Sequence, residues 1–502
     1  MTTGSTTVRV AIIGTGFGGL GMAMQLQRAG EHDFVLLERA GDLGGTWRDN
    51  HYPGAACDVP SHLYSFSFAP NADWSRSFSE QPEIHAYLRR CATESGVLDK
   101  VRFYHELLAA DWDEDAQVWR IRTSGGDLDA QVLVSACGPL SDPIVPKLPG
   151  LETFEGATFH SASWDHEYDL TGKRVAVVGT GASAIQFLPQ IQPKVERLHL
   201  FQRTAPWVMP RHDRAYTRPE RWAFRHLPGF QRLSRTAIYW GRESYVIGFA
   251  LQRRALKVAE LIARRHLARS VEDPELRAKL TPDYAIGCKR ILISNDYYPA
   301  LTQPNAEVVT DGIAEVRPNS IVTADGTERE VDAIIFGTGF HTTDLPVAHR
   351  VRGRDGISLA ETWSAGMQAY RGTTVAGFPN LFLVIGPNTG LGHSSMVFVI
   401  ESQVAYIRDA LRRMDEAGLA AVEVEPAVQE AYNAGLQQQM KGTVWTDGGC
   451  ASWYLDASGR NTTLWPRFTF DFRSITRRFD LASYRRERAG ERAGDVPEGA
   501  HG

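Results

Sequence analysis

The chain has 502 residues, more than one ordinary hydrophobic core accommodates, which predicts two or more domains. Hydrophobic residues make up 43% and charged residues 23%, the balance of a soluble globular protein, and a net charge of −5 gives no general attraction for nucleic acid or anionic membranes. Cys57, Cys91, Cys137, Cys288 and Cys450 are scattered with no C-x-x-C pair; this excludes a redox-active dithiol of that kind, predicts no disulfide framework and fits a reducing cytoplasm. The opening MTTGSTTV has no basic segment ahead of an apolar run, so no signal peptide is expected, and apolar stretches such as residues 245–251 are too short to span a bilayer.

Residues 8–13, VRVAII, read as a buried parallel strand, and the turn behind it is Gly14-Thr15-Gly16-Phe17-Gly18-Gly19. Gly14 permits the tight turn, Gly16 lets the backbone approach a pyrophosphate, and Gly19 lets the next helix pack closely on the strand. The helix N-terminus then faces the phosphates. After a second strand at 34–37 stands Glu38, placed to accept hydrogen bonds from ribose hydroxyls. A glycine turn alone can serve packing; a complete strand-turn-helix-strand-acid unit points to a dinucleotide. Residues 44–64, GGTWRDNHYPGAACDVPSHLY, are glycine-rich, aromatic and turn-like, and Asp58 beside Pro60 reads on its own as a turn residue.

A strand at 132–136 leads into CGPLSDPIVPKLPG, whose four prolines can continue neither helix nor strand and mark a domain crossing. Then comes FEGATFHSASWD, residues 154–165, followed by a second unit: strand 174–178, loop Gly179-Thr180-Gly181-Ala182-Ser183-Ala184, a helix, and strand 198–201. Ala184 is a permitted third position of the fingerprint. No acid closes the second strand; Gln202, Arg203 and Thr204 stand there, and an arginine suits a 2′-phosphate, so NADPH is preferred over NADH. Residues 207–284 turn rich in arginine and helix formers, with apolar residues at helical spacing over 255–268; they predict a helical insertion with a solvated basic face, and membrane contact is not expected. Lys289 and Arg290, ahead of ILISNDYYPAL, read alone as surface charge. A strand at 331–336, a strand at 380–385 followed by Gly386-Pro387-Asn388, and a helix at 396–413 come next, and a disordered tail is expected over 484–502.

Phe154, Gly156, His160, Trp164 and Asp165 match F-x-G-x-x-x-H-x-x-x-W-[P/D], and the chain resembles in this the type I Baeyer–Villiger monooxygenases, flavoenzymes that use NADPH and oxygen to convert ketones to esters or lactones. GGTW at 44–47 and YPGA-x-x-D at 52–58 resemble the flavin-contacting loop of the same family. The resemblance implies an α/β fold of two Rossmann-like dinucleotide-binding domains. An NADPH domain (144–340, helical insertion about 207–284) would be inserted into an FAD domain built from 1–143 and 341–483. FAD would lie on Gly14, Gly16, Gly19, Glu38, Thr46, Trp47 and Asp58, and NADPH on Gly179, Gly181, Ala184, Arg203 and Thr204.

The resemblance also implies that Arg290 is catalytic, stabilising a C4a-peroxyflavin and the oxyanion formed when it attacks a ketone, with Asp58 orienting it. Lys289 would hold the NADP phosphate, Asn388 lie in a loop whose backbone approaches the flavin, Trp453 contact the nicotinamide nucleotide, and His160 sit at the domain hinge. Downstream, DASGRNTTLWP departs from the N-x-P-G-K run of well-studied ketone oxidisers. O2 and a small ketone are the expected partners and no metal is expected. The alternatives are a flavin monooxygenase acting on sulfur or nitrogen, and a non-catalytic FAD- and NADPH-binding redox sensor.

Overall fold

The computed structural model describes residues 6–450 and 452–490. Two largely parallel sheets organise the chain. The first has strand Thr6–Ile13 between Phe34–Leu37 and Gly126–Ser135, parallel to both. Its inner residues Val10 and Ile12 are fully buried, as expected of a strand covered on both faces. Strand Leu381–Leu383 pairs with Gly126–Ser135 in the same sheet, so the two ends of the chain build one layer. Helix Phe17–Arg28 covers one side and packs against Met396–Ala417. The second sheet is five-stranded and parallel, in the order Ala306–Val309, Arg197–Phe201, Arg174–Val178, Ala333–Phe336, Ala157–His160.

The glycine turns follow the carboxyl ends of Thr6–Ile13 in the first sheet and Arg174–Val178 in the second, and steric contact explains the residue choice. Gly14 has φ +96°, and a Cβ there would lie 2.8 Å from the carbonyl oxygen of Ala136; a Cβ on Gly19 would lie 1.9 Å from the carbonyl oxygen of Gly14. The first turn therefore excludes side chains with backbone on both counts. In the second turn Ala184 already carries its methyl, and the room comes from across the sheet: a Cβ on Gly337 would meet that methyl at 3.2 Å.

The segment 154–165 is the far edge strand of the second sheet and the corner that follows. Ala157–His160 pairs in register with Ala333–Phe336. A side chain at Gly156 would strike the carbonyl oxygen of Asp332 at 2.4 Å and the Phe154 ring at 2.6 Å, so Phe154 folds over a glycine to close the edge. Trp164 is buried between Phe159 and Phe187 in a cluster that also takes in Tyr52 and Ala55 of the first sheet's loop. Asp165 accepts from the amides of Glu167 and Tyr168 and turns the chain. His160 is buried; its Nδ1 accepts from the amide of Ala162, and its ring meets Phe340 edge-on. Burial depresses its pKa to about 4, which leaves the ring neutral at physiological pH.

The insertion contains helices Arg218–His226, Phe230–Glu243, Leu256–Ser270 and Pro274–Lys279. Thr217 and Glu220 form a reciprocal cap on the first. Helix Phe230–Glu243 reaches across to the first sheet's loops: Arg235 donates to the carbonyls of His62 and Ser65, Arg242 to that of Asp58, and buried Glu243 accepts from the backbone and hydroxyl of Thr469. Two sequence expectations need correction. Tyr484–Glu487, assigned to a disordered tail, is a strand antiparallel to Ala421–Val424; its Tyr484 is buried, an anchor that the surrounding charged residues hide in the sequence. The remainder of that tail from 491 lies outside the described residues. Cys288 and Cys450, expected to be free, form a disulfide across 162 residues, a pairing that only the tertiary fold creates.

Two predictions follow from these packing facts. Gly19→Ala must displace the first helix and is expected to cost about 1–3 kcal/mol and most of the bound flavin, whereas Gly181→Ala, whose new methyl would lie 3.6 Å from the nearest atom, should fold normally; thermal unfolding and flavin absorbance of the two variants distinguish them. His160 has a folded-state pKa below the ordinary 6.5, so its neutral form contributes stability that is complete above pH 6.5 and lost as pH falls toward 4. About 2 kcal/mol should be gone at pH 5, and urea unfolding of His160→Gln should have a flatter pH dependence than the parent.

Candidate functional site

The first glycine turn opens onto a cavity bounded by Gly14–Gly18, Glu38, Gly44–Asp49, Ala136–Asp142, Ile385–Pro387, Thr389–Leu391, Thr462–Leu464, Arg290 and Trp453. Its floor is backbone: Gly16 and Gly45 face each other, and a Cβ on Gly45 would stand 3.1 Å from the Cα of Gly16. A groove walled by two glycines admits an extended phosphate chain against bare amides. Glu38 ends the second strand, where the Thr15 hydroxyl, Arg48 (2.6 Å) and the amide of Ala40 (3.0 Å) all donate to its carboxylate. Thr46 and Trp47 line the wall, and the Trp47 indole donates to the Tyr64 hydroxyl at 3.1 Å.

At the other end of this cavity stands Arg290. Its Nε donates to Asp58 Oδ2 at 2.7 Å and its Nη2 to Oδ1 at 2.6 Å, a bidentate fork that fixes the guanidinium plane. Burial pushes the Asp58 carboxyl up, but Arg290, seconded by Arg242, outweighs it and holds the acid below its usual range. Asp58 in turn raises Arg290 further above its ordinary value. Both remain ionised. Arg290 is 33% and Asp58 25% exposed, and Arg290 lines the cavity while Asp58 backs it.

Two residues that the sequence did not single out hold this pair in place. Arg242, on the insertion, donates to the Asp58 carbonyl at 2.7 Å. Gln186, on the helix behind the second glycine turn, accepts from the Tyr52 hydroxyl (2.9 Å) and the Ala56 amide and donates to the Ala56 carbonyl (3.0 Å). The loop carrying Asp58 is thus hooked to the second dinucleotide unit. Nothing at the level of sequence marks either residue, because each acts through a backbone group distant in the chain.

At the second turn, Gly179 donates its amide to Phe201 and the Thr180 hydroxyl bonds the Thr204 carbonyl at 3.1 Å, so the turn and the 202–204 segment lie together. Arg203 is exposed. Lys289 is half-buried, and its pKa is lowered by burial first and by the nearby Arg203 second. Among the described residues neither cation lies within ion-pair distance of a carboxylate; Lys289 instead sits 4.9 Å from the centre of the Tyr284 ring. Asp283 relieves Lys289 only in part, and two cations that repel each other without a directly paired acid form a ready anion site.

Asn388 stands in the loop that follows strand Leu381–Leu383. Its side chain turns away from the cavity, donating to the carbonyls of Asn461 (2.8 Å) and Leu464 (2.9 Å), while its neighbours Pro387 and Thr389 form the wall. Asn388 positions the loop; the flanking residues present it. The divergent run NTTLW is what it grips. Trp453 is 44% exposed and lines the same cavity as Arg290.

The flavin-binding monooxygenase-like family matches residues 7–226. A Baeyer–Villiger monooxygenase from Streptomyces coelicolor is 59% identical over 95% of this chain and 92% of its own length. Among solved structures, a cyclohexanone monooxygenase from Rhodococcus sp. Phi1 bound to NADP+ superposes with a TM-score of 0.86 at 29% identity, covering 97% of this chain and 100% of that one. A complex named OTEMO with FAD and NADP gives a TM-score of 0.84 at 25% identity, covering 93% and 97%. Fold, site and kinship agree, and the chain belongs to the Baeyer–Villiger monooxygenase family.

Proposed function

We propose that this protein oxidises a small ketone to an ester or lactone, with FAD on the first glycine turn, NADPH on the second, and Arg290 as the catalytic cation. The observation that carries the reading is the bidentate Asp58–Arg290 pair, opening into the same cavity as the glycine-walled groove and Trp453.

The residues present fit both cofactors. The facing glycines Gly16 and Gly45 leave backbone amides for a pyrophosphate, with Glu38 beyond them for a ribose. The hydroxyls of Thr462 and Thr463 lie on the cavity wall and are buried without a partner among the described residues, polar capacity suited to a flavin ring edge. Arg203 and Lys289 match a 2′-phosphate, and Trp453 has a free indole face for a nicotinamide. Bound FAD, reduced by NADPH and reacting with O2, supplies the oxygen atom that is inserted beside the carbonyl.

Arg290 donates to the ketone oxygen and stabilises the negative charge that builds there during attack. A guanidinium suits this task because it stays charged at every working pH and its planar fork serves Asp58 with one edge while another N–H remains for substrate. Asp58 keeps the fork in one orientation, which spares the reaction the cost of ordering a long flexible side chain. Asp58 also partly neutralises the cation without removing its charge. Trp453 lines the cavity with Arg290 and rests on the buried Tyr454, ring centroids 4.4 Å apart.

Product analysis with cyclic, linear and aromatic ketones, run beside sulfides, tests the reaction: esters or lactones uphold it, and sulfoxides alone would refute it. Arg290→Ala should leave NADPH-dependent flavin bleaching measurable by stopped flow while lowering ester formation by about 10²–10³-fold, the cost of one preorganised donor to a developing oxyanion. Separately, Arg203→Ala and Lys289→Ala should each raise KM for NADPH by about tenfold, roughly 1.4 kcal/mol, and change KM for NADH little; equal effects on both nucleotides would remove the 2′-phosphate assignment.

A further inference from the structure

The disulfide Cys288–Cys450 joins the segment that carries Lys289 and Arg290 to the segment that carries Trp453. Both half-cystines belong to a core in which Trp207 and Phe249 of the insertion meet Tyr284, Val444, Trp445 and Tyr454. Apart from the covalent bond, the two segments share the hydrogen bond from the Ala285 amide to the Gly448 carbonyl at 3.1 Å. Gly448 is pressed against Cys288, where a Cβ would fall 2.7 Å from its sulfur. Gly448 and Gly449, immediately before Cys450, lie outside regular helix and strand. The bond adds a covalent restraint to this packing on the approach to Trp453.

We propose that Cys288–Cys450 is a thiol–disulfide exchange site that takes a dithiol reductant, and that its opening loosens the hold on NADP. The two sulfurs are unequally accessible: Cys288 is 1% exposed, Cys450 half-buried. A reductant thiolate attacks Cys450 Sγ, the S–S bond breaks, and Cys288 leaves with the electron pair and takes up a proton. The second thiol of the reductant then attacks the mixed disulfide, releasing Cys450 as a thiol and the reductant as its own disulfide. Two electrons and two protons pass to the protein. The remaining cysteines do not compete. Cys57 is buried and pushed well up, and Cys137 is held at about 11, so both stay protonated. Buried Cys91 is raised as well.

The effect on NADP rests on the roles proposed for Lys289 and Trp453; the exchange itself does not. The test uses FAD-loaded protein, treated or not with dithiothreitol under native conditions, alkylated with iodoacetamide and mapped by mass spectrometry, with the NADP+ Kd measured on the same samples by calorimetry. The expected result is protection of Cys288 and Cys450 in untreated protein and their joint alkylation after reduction. Retained FAD, a three- to tenfold rise in Kd and reversal by reoxidation should accompany it. Cys450→Ser should show the weakened affinity permanently and no response to dithiothreitol. Alkylation of both cysteines without reductant, or a bond that yields only on unfolding, overturns the exchange site. Normal reduction with an unchanged Kd overturns the coupling. Failure of NADP+ to bind in either state removes the cofactor roles on which the coupling rests, while the peptide map still decides the exchange.

Discussion

The pairing of Arg290 with Asp58 depends on more of this molecule than any other interaction. The partners are 232 residues apart, and each is held by elements that belong to a different layer. Asp58 sits on a loop anchored at its backbone by Arg242 from the insertion and, two residues earlier, by Gln186 from behind the second glycine turn. Arg290 leaves a core shared by the insertion and the C-terminal segment. Both sheets must therefore be docked before the fork can close. A long arginine left unpaired beside a cavity would lose its single orientation, and an unpaired acid near it would be driven to protonate. Geometry at the site is thus a readout of domain assembly.

That dependence explains what the sequence could and could not disclose. The glycine turns were legible because their constraint is local: a Cβ at Gly19 collides with a carbonyl five residues away. The 154–165 pattern was legible for a similar reason, since Gly156 must admit Phe154 and Asp165 must accept from the next amides. Strand 34–37 and helix 396–413 also stood out, the helix running four residues further to Ala417 before Gly418 ends it in the left-handed region. By contrast, Gln186, Arg242 and the Cys288–Cys450 bond satisfy groups far away in the chain, and no spacing records that. Tyr484 was hidden by charged neighbours.

The departure of residues 461–465 from the ketone oxidisers' pattern has a structural answer. Asn388 adopts a left-handed backbone, φ +54°, and spends both amide protons on carbonyls of that run. The amides of Gly390 and Trp465 exchange bonds with Thr463 and Gly390 across the same junction. The run is fixed by reciprocal hydrogen bonds to the loop at 388–390. Two threonine hydroxyls, Thr462 and Thr463, stand on the cavity wall there.

Some of the unsatisfied buried polar groups among the described residues lie on the cavity wall. Most polar groups in the interior find partners, as the free energy of folding demands. The Thr462 and Thr463 hydroxyls on the cavity wall do not among the described residues, and burial, followed by the nearby Arg203, destabilises Lys289 as a cation by more than Asp283 relieves it. Each of these features costs stability, and none is needed to close a sheet or fill a core. Their common location, along the wall beside Arg290 and at the end of the second glycine turn, is what a fold optimised only for itself would avoid. On the roles proposed for them, an extended dinucleotide would offer acceptors to the hydroxyls and negative charge to the cations, so groups that cost the fold stability are the ones that would recognise the cofactors beside the Asp58–Arg290 fork.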